Sequence, residues 1–394
     1  MTKRERFLVA TRNLVPDRVP VAPDMSNYIP CKRTGLPFWD VYFFGHVPLW
    51  KAYLNAVDYY GAEGWAASTM GLPVTCGNNP VEVDSHYTFD TSRDAMVQHV
   101  RIRTPDGDMT ATNVCARFDP PSPVEKPVKD IAKDLKKLKW LFPMPTGLDM
   151  QTVEECRAEC HRRDHGYGFS ISYPGFHMWS SFAQGGVEPL AYAFMDTPEL
   201  LDQWMEMDIE RGLKVMEFAV AAKPDYITFG GSGTITLASP DLARRYAIPA
   251  LAKFSAIAKK AGIPTNLHSC GKSRSLVDLL ADETDIDCIN PLEIAPMGDI
   301  DLAETKAARG RDIALMGNLH TTDVMLRGTP ALVKQKALEA MRDAGTGGGF
   351  ILSTGDQCGR DTPEENLFTL VETAKQYGTY DKTGRLPAVE EYFK

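Results

Sequence analysis

The sequence contains no run of basic residues and no clustered Lys and Arg, and its formal net charge is -9. Proteins that bind nucleic acid through its phosphates usually present a basic patch or stripe. We therefore expect no nucleic-acid partner for this chain.

Long apolar runs are also missing. No stretch approaches the roughly 20 apolar residues that a helix needs to cross a bilayer, and residues 1–6 are mostly charged. We expect neither a secretion signal nor a membrane anchor, and hence a cytoplasmic protein.

Cysteines are few, with eight scattered over 394 residues and no compact spacing. Small disulfide-stabilised proteins have dense and regularly spaced cysteines instead. The scatter predicts reduced thiols, some of which have a function.

A regular alternation of short apolar runs and helices is present after residue 149. The runs predict strands at 169–172, 226–229, 264–267, 286–289, 313–316 and 350–353, and runs at 19–21 and 61–66 bring the number to eight. Four helices are predicted to start with a hydroxyl N-cap followed by proline, at Thr197, Ser239, Thr329 and Thr362.

Eight strands that alternate with helices predict an α/β fold of the single (β/α)8 TIM-barrel type. An open doubly wound sheet is the alternative. Against it, no Gly-x-Gly-x-x-Gly sequence opens a helix.

The pattern changes between the second and third predicted strands. Residues 99–103 alternate apolar and polar, residues 104–108 have turn composition, and residues 109–117 follow, which predicts a β-hairpin. A segment rich in Pro and Lys comes next and contains one short predicted helix, at 134–140. We interpret residues 72–150 as an insertion in one barrel domain that spans residues 1–394.

Metal-binding side chains follow the fifth and eighth predicted strands. His268 and Cys270 are two residues apart, so they face the same side of a strand end, and Cys358 lies in a Gly-flanked loop. The carboxyl ends of barrel strands share one face, which carries the active site. One His and two Cys suit zinc and leave a fourth position free for chemistry, which Glu293 or Asp356 is able to fill at rest.

Other strand ends supply candidates for catalytic roles. His177 follows the third predicted strand, Glu293 the sixth and His320 the seventh. All three are expected on the same face as the zinc site, and His177 is predicted to contact the substrate.

At these residues the chain resembles the uroporphyrinogen decarboxylase superfamily, and within it the branch of zinc- and cobalamin-dependent methyltransferases. The likeness runs almost end to end, through residues 17–21, 268–271, 291–293, 317–318, 347–353 and 362–366. The resemblance implies the same eight-stranded barrel. It also implies that His268, Cys270 and Cys358 bind zinc.

The chain departs from the decarboxylases themselves. Their substrate is a tetrapyrrole with many carboxylates, which the family binds with an arginine-rich N-terminal signature and paired aspartates after the fourth strand. Here residues 17–30 hold only Arg18, and Gly231 and Ser232 stand in place of the aspartates. We expect no decarboxylase activity.

The resemblance leaves two methyltransferase activities open. In one, zinc binds the oxygen of an aryl methyl ether and stabilises the departing phenolate while the methyl group passes to cobalt. In the other, zinc holds a thiol as the thiolate that accepts a methyl group from cobalt. The ligand set favours the thiol, whereas the aromatic-rich residues 29–65 and the long insertion favour the ether.

We favour O-demethylation of a small methoxylated aromatic compound, with the methylcorrinoid-to-thiol reaction (coenzyme M type) as the alternative. A barrel that binds a corrinoid or a metal without catalysis is a third interpretation. Corrinoid domains of this class carry Asp-x-His-x-x-Gly, but Asp84-Ser85-His86 is followed by Phe89 at the glycine position. The corrinoid (cobalamin) is therefore expected on a separate partner protein.

Overall fold

The computed structural model describes residues 1–394, and its strands belong to three sheets. In chain order the strands are β1 Val74–Thr75, β2 Glu82–Asp90, β3 Ala95–Thr104, β4 Gly107–Ala116, β5 Ser122–Glu125, β6 Gly147–Leu148, β7 Gly168–Ser172, β8 Tyr226–Gly230, β9 Thr265–His268, β10 Cys288–Asn290, β11 Ala314–Leu319 and β12 Phe350–Thr354.

The α-helices are α1 Lys3–Thr11, α2 Tyr28–Thr34, α3 Phe38–Tyr42, α4 Leu49–Tyr60, α5 Ile131–Leu141, α6 Met150–Arg162, α7 Phe176–Trp179, α8 Val187–Asp196, α9 Pro198–Ala221, α10 Pro240–Tyr246, α11 Ile248–Lys260, α12 Arg274–Glu283, α13 Leu302–Arg309, α14 Pro330–Ala344, α15 Glu364–Tyr377 and α16 Pro387–Tyr392. A 3₁₀ helix at Ala66–Ser68 and a π-helix at Thr321–Leu326 complete the set. None of these helices is both long enough and apolar enough to span a membrane.

The strands β7 to β12 form one parallel sheet of six strands, in which each strand pairs with the next along the chain. Helices connect successive strands, and nearly all strand residues are buried, as is typical of a sheet covered on both faces. The prediction of an α/β fold is confirmed. The six strands predicted between 169 and 353 also form, with bounds that differ by a few residues at most.

The two remaining predicted strands, 19–21 and 61–66, do not form regular strands. Val21 makes a single parallel bridge to Leu352 of β12, and Gly71 makes one to Ser170 of β7. Between these edges, the Glu63 amide donates to the Val21 carbonyl at 2.9 Å. Prolines flank Val21 and its neighbour, and because proline has no N–H it cannot extend a ladder of hydrogen bonds. Closure into an eight-stranded barrel stays a prediction.

Two of the four predicted hydroxyl caps are present. The hydroxyls of Ser239 and Thr329 accept the backbone amides three residues on, at 3.2 and 3.3 Å, and so begin α10 and α14. Thr197 forms no such bond because its backbone (φ -147, ψ 57) is not in the extended conformation of Ser239. At α15 the N-cap is Pro363, so the prediction for Thr362 is wrong by one residue.

The strands β2 to β5 form a separate antiparallel sheet. β3 and β4 pair from Ala95 and Ala116 to Thr104 and Gly107, where the sequence predicts the hairpin. The helix predicted at 134–140 is α5. That this region is an insertion into a barrel stays a prediction.

Three clusters of buried apolar residues form the interior, and the smallest, of five residues, joins α2 and α3 to Cys115 of β4. The largest, of 74 buried residues, lies around the parallel sheet. The second, of 14, joins Ile102 and Met109 of the antiparallel sheet to α5, α7 and α9 around Trp179 and Trp204. The antiparallel sheet is linked to α5 by hydrogen bonds from Lys137 to the Asp108 carbonyl and from Trp140 to Asp106, and α5 in turn contacts α9.

Candidate metal centre

The end of β9 and a tight turn place His268 and Cys270. His268 is the last residue of β9 and pairs with Asn290 at the end of β10. The chain turns at Gly271, whose φ is +83 and where a Cβ would lie 2.1 Å from Thr236 Oγ1. Because any larger residue would displace this turn, glycine keeps Cys270 over the carboxyl ends of the strands.

Three side chains with metal-binding atoms converge here. Cys270 Sγ lies 3.2 Å from His268 Nε2 and 3.3 Å from Asp356 Oδ1, and the ligand atoms of these three residues are all within 4.8 Å of one another. Ser232 Oγ lies 3.5 Å from the same sulfur. One nitrogen, one sulfur and one oxygen form a donor set of the kind that binds zinc.

The orientation of His268 suits a ligand. Its Nδ1 lies 2.7 Å from Asn290 Oδ1, and because the amide oxygen is an acceptor, Nδ1 carries the proton. Nε2 is then unprotonated and directs its lone pair towards Cys270. The Trp65 ring packs against the imidazole, with 5.4 Å between ring centroids.

The centre is rich in acidic groups. Asp24 and Glu293 are buried, and burial raises the pKa of both carboxyls. Burial also raises the pKa of the Cys270 thiol, and the Asp356 carboxylate raises it further. A bound divalent cation would stabilise the charged forms of all these groups and deprotonate the thiol. The residues present therefore fit a zinc ion.

A cavity of about 220 Å³ opens onto these residues. Its wall is mostly polar and consists of Asp24, Ser26, Asn27, Trp65, Ser68, Ser170, Thr228, Gly230, Ser232, His268, Cys270, Asp356 and Gln357. The cavity has room for a small molecule beside the metal-binding atoms, and no Lys or Arg side chain is available there to pair with an anionic group.

The structure does not bring Cys358 into the group of converging ligand atoms, which contains Asp356 instead. Cys358 is fully buried two residues further along the same loop, and its amide donates to the Asp24 carbonyl at 2.8 Å. Burial raises the pKa of its thiol to about 12, and the Asp24 carboxylate contributes to the shift. Cys358 thus borders the centre, and its role as a ligand stays a prediction.

The other predicted residues lie around this centre. Glu293 is close to it, because its carboxylate accepts a hydrogen bond from the amide of Gly271, next to Cys270. Glu293 and His320 line one narrow cleft. His320 Nδ1 accepts from the amides of Thr322 and Asp323, and its buried Nε2 has no partner.

His177 lies beside Gly231, which is in the loop that follows β8. Its ring packs on Tyr173, with centroids 4.4 Å apart, and both side chains cover the backbone of Gly231 after β8. Burial lowers the pKa of His177 to about 3, so the imidazole is neutral at physiological pH, and its Nε2 has no hydrogen-bond partner. Catalytic roles for His177, His320 and Glu293 stay predictions.

Sequence reasoning missed Asn290 as the partner of His268, and Asp24 altogether. Asn290 directly follows the predicted strand at 286–289, so the rule that polar residues at strand ends are functional candidates selects its neighbourhood. Asp24 follows the proline-flanked segment at 19–21. The same rule would have found it if that segment had been treated as equivalent to the other strands.

The chain is similar in sequence to uroporphyrinogen decarboxylases and to methyltransferases. The sequence model of the uroporphyrinogen decarboxylase (URO-D) family matches residues 123–377. The uroporphyrinogen decarboxylase of Crocosphaera subtropica is 38% identical over 77 residues, which is 20% of this chain and 21% of that enzyme. The methylcobamide:CoM methyltransferase of Methanosarcina mazei is 29% identical over 156 residues, which is 37% of this chain and 43% of that enzyme.

A second relative from Methanosarcina mazei, a methylated-thiol–coenzyme M methyltransferase, is 27% identical over 145 residues, 37% of this chain and 36% of that enzyme. The matched segments thus span less than half the length of these relatives. Among solved structures, a methyltransferase from Methanosarcina mazei superimposes with a TM-score of 0.64 at 18% identity, over 96% of this chain and 99% of that one. The two chains share a fold over almost their whole length.

Proposed function

The chain belongs to the uroporphyrinogen decarboxylase (URO-D) family, and from this premise we propose that it is a zinc-dependent methyltransferase. The proposed reaction moves the methyl group of a small methoxylated aromatic compound to the cobalt of a separate corrinoid protein. The observation that carries the proposal is the convergence of His268, Cys270 and Asp356 beside a cavity at the carboxyl ends of the parallel strands. Zinc bound there would act as a Lewis acid on the ether oxygen and stabilise the departing phenolate.

The residues of the chain would hold and orient the reactants. Asn290 keeps His268 Nε2 directed at the centre. Glu293 stabilises the turn that contains Cys270, because its carboxylate accepts a hydrogen bond from the Gly271 amide. The Trp65 ring and the Ser232 hydroxyl line the cavity, where they would contact the aromatic ring and the ether.

We assign the third protein ligand to Cys358, and the fourth position at rest to Asp356. Support comes from their shared loop, in which both side chains border the centre. A second thiolate would also balance the charge of the ion better than a single one, since His268 is a neutral ligand.

The lining of the cavity disfavours the decarboxylase reaction. A substrate with many carboxylates needs cationic partners, but the cavity contains no Lys or Arg. Arg18 does not reach it, because its guanidinium pairs with Glu63 at 2.5 Å and donates to the Val19 carbonyl.

Methylation of a thiol is the second candidate. It is favoured by the names of the two Methanosarcina mazei relatives, which act with coenzyme M. Coenzyme M is a thiol that carries a sulfonate, and a cavity lined by Asp24 and Asp356 with no Lys or Arg offers that sulfonate no cationic side chain. The same lining accepts an uncharged aryl ether, which is why we place the ether first.

A rim of exposed apolar side chains supports docking of a corrinoid protein. Leu237, Ile294 and Met297 are each more than a third exposed, on the loops that follow β8 and β10. These loops flank Cys270, so a partner bound there would bring its cobalt over the cavity. Such a partner must also leave, which fits an interface of modest size.

We also propose that residues 1–394 form one domain, in which the parallel sheet closes into an eight-stranded barrel. The bridges of Val21 to β12 and of Gly71 to β7 support this closure at the two edges of the parallel sheet. Residues 72–150, which contain the antiparallel sheet, would then be an insertion between the second and third strands.

The reaction is tested with the purified protein, zinc and a reduced corrinoid protein. We expect release of the phenol from at least one of a panel of uncharged methoxybenzenes, with equimolar methylation of the corrinoid and no reaction with the Cys270→Ala variant. If the panel is inert while coenzyme M is methylated from methylcobalamin, the second candidate is correct. If the zinc-loaded protein does neither, the proposal of a methyltransferase is wrong.

A further inference from the structure

A second and larger cavity lies between α9 and the β7 edge of the parallel sheet. Its volume is about 350 Å³, within the range of roughly 300–1,000 Å³ that is typical of ligand sites. Ser170 is the one residue that lines both this cavity and the one at the metal centre. The two cavities are therefore neighbours whose walls are otherwise formed by different residues.

Several aromatic side chains line this cavity. Trp179 and Trp204 stack with 5.3 Å between ring centroids, and Phe142 packs edge-on against Phe182 at 4.8 Å. All four line the cavity. An apolar cavity of roughly 150 Å³ already takes up benzene, so this one has room for a substituted ring.

Asp208 and Arg211 introduce opposite charges at one end of this apolar wall. Asp208 Oδ2 accepts a hydrogen bond from Trp179 Nε1 at 2.8 Å, and Arg211 Nε donates to the Pro143 carbonyl at 3.3 Å. The two side chains form no ion pair with each other, and the terminal nitrogens of Arg211 donate no hydrogen bond within the protein. A guanidinium has five N–H donors, so most of its capacity is left for a ligand.

Asp208 and Arg211 also border a smaller neighbouring cavity. Together with Phe142 they line this smaller cavity of about 130 Å³, whose other walls include the exposed Lys139 and Glu210. The end of the larger cavity that borders the smaller one therefore carries the two charged groups. Burial raises the pKa of the Asp208 carboxyl to about 6, although the hydrogen bond from Trp179 and the charge of Arg211 act in the opposite direction.

We infer that this cavity binds a small uncharged phenol, with the ring against Trp179 and Trp204 and the hydroxyl between Asp208 and Arg211. A hydroxyl is both donor and acceptor, so it is able to donate to the Asp208 carboxylate and accept from the Arg211 guanidinium. A carboxylate ligand would be repelled by Asp208, and an ammonium ligand by Arg211. A hydrocarbon would cover both charged groups without a hydrogen bond, which is costly. The inference does not rest on the proposed methyl transfer.

The test measures binding of 4-ethylphenol to the full chain by calorimetry and by quenching of tryptophan fluorescence. We expect saturable binding of one molecule per chain. Ethylbenzene, 4-ethylcyclohexanol and 4-ethylbenzoate should each bind at least about tenfold more weakly, because each lacks the hydroxyl, the flat ring or the neutral head group.

Variants locate the site. Arg211→Met and Asp208→Asn should each weaken binding about tenfold, since each removes one charge-assisted hydrogen bond, and Val215→Trp should abolish it by filling the cavity. Cys270→Ala, in the other cavity, should leave the affinity unchanged, which separates this site from the metal centre. The inference is overturned by absent binding to the unmodified chain, by tighter binding of the benzoate, or by unchanged affinity in folded Arg211→Met and Asp208→Asn variants.

Discussion

At the scale of single residues, the geometry of the metal centre depends on a few specific side-chain contacts. His268 presents Nε2 because Asn290 occupies Nδ1, and Cys270 is surrounded by a histidine, a carboxylate and a hydroxyl. Without a cation, burial beside Asp356 keeps the thiol protonated. The centre is therefore organised for a metal before one binds.

Replacement of Cys270 by Ala should remove the metal without unfolding the chain. The side chain lies after β9, outside the main core, so the melting temperature should stay within a few degrees. Elemental analysis should find about one zinc per unmodified chain and less than about 0.1 per variant chain, since the loss of one ligand greatly lowers the affinity for zinc. Cys76→Ala is the control. It removes a half-buried thiol that is distant from Cys270 in the sequence, and it should retain zinc. Full zinc in Cys270→Ala would contradict the assignment.

The third ligand can be decided by comparing Cys358→Ala with Asp356→Asn. With Cys358 as ligand, its removal should lower the zinc content about as strongly as Cys270→Ala, while Asp356→Asn should reduce affinity only modestly. Competition with a chelator of known affinity measures both. The opposite order would assign the third position to Asp356, as the converging atoms suggest.

At the scale of elements, the turn after β9 couples backbone geometry to the metal centre. Gly271 and Gly262 flank β9 and have similar positive φ, +83 and +73, but only Gly271 faces a side chain, Thr236. Around Gly262 nothing lies within 4 Å of an added Cβ. The pair therefore separates backbone strain from steric displacement.

Gly262→Ala should lower the free energy of unfolding by about 1 kcal/mol through strain at positive φ and leave zinc binding unchanged. Gly271→Ala should cost more and also weaken zinc, because the clash with Thr236 moves Cys270. Chemical denaturation and chelator competition on both variants measure the two effects. Equal zinc affinity in the two variants would show that the turn does not position Cys270.

Helix α9 carries a carboxyl that makes stability depend on pH. Burial raises the pKa of Asp208 from 3.8 to about 6, so between these values the folded chain binds more protons than the unfolded chain. The contribution of Asp208 to stability is therefore present below about pH 4 and is lost as pH rises through 6.

The variant Asp208→Asn cannot ionise, so its stability relative to the unmodified chain should rise between pH 4 and pH 7. The expected rise is at most about 3 kcal/mol, at 1.36 kcal/mol per pKa unit, and less where the cavity is hydrated. Urea unfolding at both pH values measures the difference. A difference that does not change with pH would show that the carboxyl is not perturbed.

At the scale of the whole molecule, the proposed reaction requires a second protein. The exposed rim of Leu237, Ile294 and Met297 lies at the carboxyl ends of the strands, while the exposed Leu14 lies near the amino end of β12, where its carbonyl accepts from the Gly349 amide. A partner that carries cobalt should therefore dock at the rim and not at Leu14.

Expressed alone in a host supplied with cobalamin, the chain should purify without stoichiometric corrinoid in its absorption spectrum. Met297→Asp should raise the concentration of corrinoid protein needed for half-maximal transfer, because it places a charge in the contact, whereas Leu14→Asp should not. Tightly bound corrinoid in a ratio of one to one would contradict a separate and transient partner.

The amino-acid pattern is enough to predict the six strands of the parallel sheet and the position of His268 and Cys270 at the end of one of them. These features depend on local patterns, because apolar runs, turn residues and the alternation of side chains along a strand each involve only a few neighbouring residues. The short segments at 19–21 and 61–66 were harder, since flanking prolines and a following 3₁₀ helix limit them to isolated contacts. The packing in three dimensions was needed to show that Asp356 and not Glu293 joins His268 and Cys270. It was also needed to show that Asn290 orients the imidazole and that Asp208 and Arg211 line a cavity beside stacked aromatic rings. Each of these depends on the path of a loop or the packing of a helix against residues far away in sequence, which no spacing along the chain encodes.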